Sequence, residues 1–181
     1  MPQFLALTSV GIEPLLFNEL ESLGAQQVVQ KPEGVYFEAE LDVAYRICLW
    51  TRLASRIMLK LGDGESSTKE ALYAAAKAVD WPEIFSCENS LAIDFVGKSE
   101  TIRNSQFGAL TVKDAIVDIF REHGGDRPNV DKADPDIRIQ ARLLKNQVAL
   151  YLDFSGRSLF QRGYSIQETK KSRYFLRSFC N

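Results

Sequence analysis

The sequence is short of the residues that usually carry chemistry. It has a single histidine, His123, and three cysteines, Cys48, Cys87 and Cys180. The cysteines are scattered, with neither a CxxC spacing nor the even count of a disulfide framework. A structural zinc site is therefore not expected, and a reducing, cytoplasmic setting is. No glycine-rich phosphate loop is present, since neither GxGxxG nor GxxxxGK followed by Ser or Thr occurs. Apolar runs of membrane-spanning length are also missing. The N-terminal Met1-Pro2-Gln3-Phe4 lacks the positive flank of a secretory signal, so no membrane partner and no export are expected.

What is present is ordinary in amount and uneven in placement. Of 181 residues, 45% are hydrophobic and 25% charged, enough to bury a core. The net charge of -2 hides an asymmetry: residues 1–100 hold 8 Lys/Arg and 15 Asp/Glu, and residues 101–181 hold 14 and 9. A polyanion is repelled by the first half and tolerated by the second.

Hydrophobic periodicity orders the chain. Gln3 to Thr8 alternates as a strand, and Gly11 opens a helical pattern that Gly24 terminates. Val28-Val29 and Val35-Tyr36-Phe37 flank a turn at Lys31–Gly34, a hairpin pattern. A helix from Leu41 places Ala44, Tyr45, Cys48 and Leu49 on one face. Ile57, Leu59 and Leu61 alternate as a strand closing at Gly62-Asp63-Gly64. Strand, helix, strand, strand, helix, strand predicts a ferredoxin-like unit. A second layer follows: a helix from Thr68 to Val79, a strand through Leu91, Ile93 and Phe95, and a long helix from Asn104 to His123 stopped by Gly124-Gly125. A linker runs to Pro135, and two strands, 137–144 and 148–154, flank a tight turn at Lys145-Asn146. The fold class is α+β, with the boundary near residues 55–65.

No active site emerges. His123 at a helix end reads as a cap rather than a member of a triad, and Asp134 and Asp136 around Pro135 read as solvated turn residues. The long helix carries an apolar arc of Ala109, Leu110, Val112, Ile116, Val117, Ile119 and Phe120. Lys113 falls inside that arc, where its ammonium must reach out, meet a carboxylate or contact a phosphate. Asn104 or Ser105 is an N-cap, and Arg103 projects at the helix entrance, beside free N–H groups and a positive dipole end. Arg127 follows the glycine pair, and Arg157 and Arg162 flank the last extended segment. Arginine forks bind phosphate bidentately, which makes these side chains candidates for RNA contacts.

Several stretches together resemble a known family. Thr101-Ile102-Arg103-Asn104-Ser105-Gln106, Val112–Asp118, Arg127-Pro128-Asn129-Val130-Asp131, Pro135–Arg138, Asp153-Phe154-Ser155-Gly156 and Arg162-Gly163-Tyr164 look like the THUMP domain of the bacterial large-subunit rRNA guanine-N2 methyltransferases. Trp50–Arg56 is similar to the same family's join between its two N-terminal parts. The resemblance implies a ferredoxin-like unit over residues 1–58, a THUMP RNA-binding domain over 59–164, and a basic tail, 165–181, that departs from the family. It implies a ribosomal RNA (23S) partner, and S-adenosylmethionine as cofactor of a downstream methyltransferase domain. That domain's Asn/Asp-Pro-Pro-Tyr/Phe tetrapeptide does not occur in this sequence. The expectation is therefore an RNA-binding module with no catalytic residue, metal or cofactor of its own, acting in rRNA processing. Its RNA-binding residues are Arg103, Asn104, Lys113, Arg127, Arg157 and Arg162. The alternatives are a protein-docking module working through the acidic half, or the RNA-capture part of a thiouridine synthase.

Overall fold

The computed structural model describes residues 1–99, 101–156 and 158–161. The chain divides into two compact units, Met1–Lys60 with the stretch that begins at Asp153, and Leu61–Leu152.

The first unit runs β1 (Gln3–Leu7), α1 (Glu13–Ser22), β2 (Gln26–Lys31), β3 (Gly34–Glu38), α2 (Leu41–Trp50) and β4 (Arg56–Glu65). Its strand order is β2-β3-β1-β4, and β1 pairs antiparallel with both β3 and β4. This is the ferredoxin-like arrangement expected from the order of elements. Pro14 suits the first turn of α1, and Gly24, at φ 99°, ends the segment in the left-handed region that disfavours side chains. Phe4 and Phe37 stack at 5.3 Å, and Phe154 packs edge-on to Phe4 and against Tyr45. Phe4 and Phe37 are fully buried, each worth about 2–3 kcal/mol of apolar transfer. Asp153, whose side chain is 0% exposed, accepts from the Arg56 guanidinium and from Ser155 Oγ at 2.7 Å. Glu19 holds the end of α2: its carboxylate accepts from Thr51 Oγ1 at 2.5 Å and from the Arg52 N–H at 2.8 Å.

Two expectations fail here. Leu49 is 72% exposed, and Ile47 takes the inward position on α2. The fourth strand does not close at Gly62-Asp63-Gly64 but continues through it to Glu65. A Cβ on Gly64 would lie 2.7 Å from Ala75 Cβ, so this glycine answers a close approach by a helix rather than a turn.

The second unit contains α3 (Lys69–Lys77), α4 (Trp81–Ile84), β5 (Leu91–Val96), α5 (Ser105–Glu122), β6 (Ile137–Leu144) and β7 (Gln147–Asp153). Strand order is β4-β7-β6-β5, with β5 parallel to β6 and β6–β7 a two-residue hairpin in which Leu144 faces Gln147. Thr68 caps α3 by accepting from the Ala71 N–H at 3.1 Å. Trp81 is fully buried, its indole N–H donating to the Ala76 carbonyl at 2.8 Å. The α5 helix lies close on β5: a Cβ on Gly108 would sit 2.7 Å from the Phe95 ring. The buried face of α5 is Gly108, Thr111, Val112, Ala115, Ile116, Ile119 and Phe120, and Leu110, expected inside, is 48% exposed. Close contact with β5 selects small residues, so the face is rotated from the one that bulk hydrophobicity indicates.

The two helices α3 and α5 are laced by polar pairs one turn apart: Tyr73 donates to Asp118 at 2.8 Å, and Lys77 to Glu122 at 2.5 Å. Matching increments on both helices mean they run in the same direction. The hydrogen bond that Tyr73 donates to Asp118 raises its pKa above the ordinary value, and the one that Lys77 donates to Glu122 raises the Lys77 pKa. No helix among the described residues is long and apolar enough to cross a membrane.

Candidate nucleic-acid interface

The candidate contacts are set by the two ends of α5. At its start, Asn104 is the N-cap, its Oδ1 accepting from the Gln106 N–H at 2.8 Å. The first turn of a helix leaves further N–H groups without intrahelical partners, next to the positive end of the dipole. Arg103 stands immediately before the cap, and both Arg103 and Asn104 are exposed. The entry loop is pinned beneath them: Ile102 is buried, its N–H donates to Ser99 Oγ at 3.0 Å, and Thr101 Oγ1 donates to the Ser67 carbonyl at 2.6 Å.

The remaining candidates lie elsewhere. Lys113 is on the third turn of α5, its side chain 32% exposed and its ammonium 2.7 Å from the carboxylate of Asp114. Arg127 lies beyond the other end of α5, a helix on the order of 27 Å long from its 18 residues. The segment carrying it is held at the start of β5, where the Leu91 N–H donates to the Asn129 carbonyl at 2.7 Å. Arg127 is exposed and makes no ion pair among the described residues. Arg103 and Asn104 are thus brought together, with Arg127 at the far end of the same helix. Arg157 and Arg162 lie outside the described residues.

His123 accepts the reading of a helix-end residue: its Nδ1 is 2.9 Å from the Ile119 carbonyl. Asp136 is a structural tie, accepting from the N–H and the hydroxyl of Ser90 at 2.9 and 2.8 Å. Asp131 Oδ1 accepts from the Ala133 N–H at 2.9 Å, closing a turn. Among the described residues no three His, Cys, Asp or Glu side chains gather as a metal site.

Sequence reasoning did not find Lys98, Lys145 and Asn146. Together with Ser67, Ser99 and Thr101 they wall a cleft of about 420 Å³ beside the entry to α5. Their residue types carry no motif, and only the meeting of three loops makes them neighbours.

Residues 66–153 match the family model of the THUMP domain, and residues 3–58 match that of the RlmL ferredoxin-like domain. The second unit is a THUMP domain. The fold class is accordingly α+β, a ferredoxin-like domain followed by a THUMP domain. The chain is 65% identical over 162 residues to the ribosomal RNA large subunit methyltransferase K/L of Colwellia psychrerythraea, an alignment covering 90% of this chain and 23% of that protein. It is 47% identical to the protein of the same name from Cellvibrio japonicus, covering 92% of this chain and 22% of that one. The chain thus spans under a quarter of the length of these relatives. Among solved structures, a putative methyltransferase complexed with SAH matches with a TM-score of 0.76 and 26% identity, over 92% of this chain and 44% of that one.

Proposed function

We propose that this THUMP module captures large-subunit (23S) ribosomal RNA and presents it for guanine-N2 methyl transfer. The methyl transfer itself is the work of a methyltransferase domain whose tetrapeptide this sequence does not carry. The observation that supports the reading best is the entrance to α5, where Arg103 and Asn104 are exposed beside the open N–H groups of a helix start. Arg127, Arg157, Arg162 and Lys113 supply further phosphate contacts in this reading, Lys113 by exchanging the Asp114 carboxylate for a phosphate. S-adenosylmethionine, the methyl donor in this reading, does not suit the cleft beside α5, because a sulfonium cation is repelled by the Lys98 and Lys145 ammoniums. Its seat is assigned to the methyltransferase domain.

Binding through about four phosphates gives a log–log salt slope of roughly -3 with the single-strand coefficient, or on the order of 60-fold weaker affinity between roughly 50 and 200 mM salt. Filter binding of the chain to a large-subunit rRNA hairpin measures this. Absence of salt-dependent binding, or unchanged binding by Arg103→Ala and Arg162→Ala variants, refutes the reading.

A further inference from the structure

We propose that the cleft walled by Ser67, Lys98, Ser99, Thr101, Lys145 and Asn146 is a seat for a phosphate group of the RNA chain. The inference rests on the RNA-binding reading above and adds to it a place and residues that the sequence did not suggest.

Three segments distant in sequence are fastened around this cleft. The Ser66 N–H donates to the Asn146 carbonyl at 2.8 Å, joining the end of β4 to the β6–β7 turn. Thr101 Oγ1 donates to the Ser67 carbonyl at 2.6 Å, joining the α5 entry loop to the same stretch. Gly97, at φ 107°, presses the end of β5 so near β6 that a Cβ would fall 2.1 Å from the Leu143 carbonyl oxygen. That approach sets Lys98 beside the turn that bears Lys145.

The polar groups divide into those that build the cleft and those left for a ligand. Thr101 spends its proton on the Ser67 carbonyl, so the 3.2 Å contact between Ser99 and Thr101 is a donation from Ser99. Ser67 Oγ donates to Glu65 at 2.6 Å. The hydroxyls are therefore committed, that of Ser67 to the Glu65 carboxylate. Lys98 and Lys145 are exposed and form no ion pair among the described residues, whereas Lys77, Lys113, Arg121 and Arg138 of the same unit each meet a carboxylate. The Asn146 side-chain amide has no partner there either. Two ammonium groups and an amide facing one cleft are donors without acceptors, the complement of a phosphate oxygen set. Lys145 also holds φ 57° in a two-residue hairpin turn, where glycine or asparagine fits with less strain.

The experiment compares the chain with a Lys98→Gln/Lys145→Asn variant in salt-titrated binding to a large-subunit rRNA hairpin, with Arg103→Ala alongside. Both lysines are exposed and form no ion pair among the described residues, and asparagine tolerates the turn, so the variant's thermal midpoint should match the parent's. Loss of one seated phosphate flattens the log–log slope by about 0.7 and weakens binding about tenfold, the size of one charge-assisted hydrogen bond. A Lys98→Arg/Lys145→Arg variant, which keeps both charges, should bind within about twofold of the parent. If the double variant keeps the parental slope and affinity while Arg103→Ala loses both, the cleft is not a phosphate seat and the RNA-binding reading stands. If the parent itself shows no salt-dependent binding, both fall.

Discussion

Replacing Gly108 with alanine sets two opposing terms against each other inside one helix turn. Alanine in a helix interior is favoured over glycine by about 1 kcal/mol, so the change should stabilise α5 if nothing stood nearby. Three atoms of the Phe95 ring lie within 2.8 Å of the position the new methyl would occupy. Phe95 is only 8% exposed and is rigid as a ring, so it cannot swing aside as the end of a lysine would. Overpacking of this kind costs about 1–3 kcal/mol, and with three ring atoms this close the upper part of that range applies. The net expectation is a loss of about 1–2 kcal/mol, or about 3–6 °C in thermal midpoint for a chain of this size. Urea unfolding of Gly108→Ala checks it, and the same substitution in a Phe95→Ala background isolates the cause. With the ring gone, the methyl should stabilise by about 1 kcal/mol, a reversal of sign. Destabilisation of equal size in both backgrounds would refute the reasoning, as would a midpoint that rises in the parent.

Other substitutions test other parts of the architecture. Among the described residues, Arg56→Met leaves the buried Asp153 carboxylate with only the Ser155 hydroxyl, and should cost about 3–5 kcal/mol in urea unfolding, with partial recovery in Arg56→Met/Asp153→Asn. Glu19→Gln turns a carboxylate oxygen into a donor facing the Thr51 hydroxyl or the Arg52 N–H, and should cost about 1–2 kcal/mol. Tyr73→Phe removes a hydrogen bond worth about 1 kcal/mol at neutral pH. Because the folded Tyr73 pKa is raised above 10.0, that stabilisation is complete below about pH 10 and fades as the pH climbs through the folded value. The stability curves of parent and Tyr73→Phe should converge on the alkaline side, and parallel curves would show that the hydroxyl contributes nothing.

The elements themselves were legible in the sequence because their punctuation is local. Gly24 and Gly124, both at positive φ, end helices where the pattern breaks, and Asn104 caps α5 where a cap was expected. What the sequence did not reveal depends on distance rather than on residue type. Hydrophobic periodicity ranks Leu110 and Leu49 as inward, but a helix pressed on a strand buries Gly108, Thr111 and Ala115 instead. Gly62 and Gly64 imitate a turn, yet they mark a strand passing under α3. The same limit applies to the site. Arg103 and Asn104 could be read from a helix start, because capping is a neighbour effect. Lys98 and Lys145 could not, because nothing in either residue's surroundings along the chain reports the other.

Phe154 and Asp153 belong to the first unit although β4 has by then long been made, and the Arg56–Asp153 pair joins residues 97 positions apart. A growing chain that has just finished β4 still has an open end in its first aromatic cluster and an unmatched guanidinium. Both wait until residues 61–152 have been made. A nascent chain halted before Asp153 therefore lacks the carboxylate and the ring that complete the contacts of the part made first.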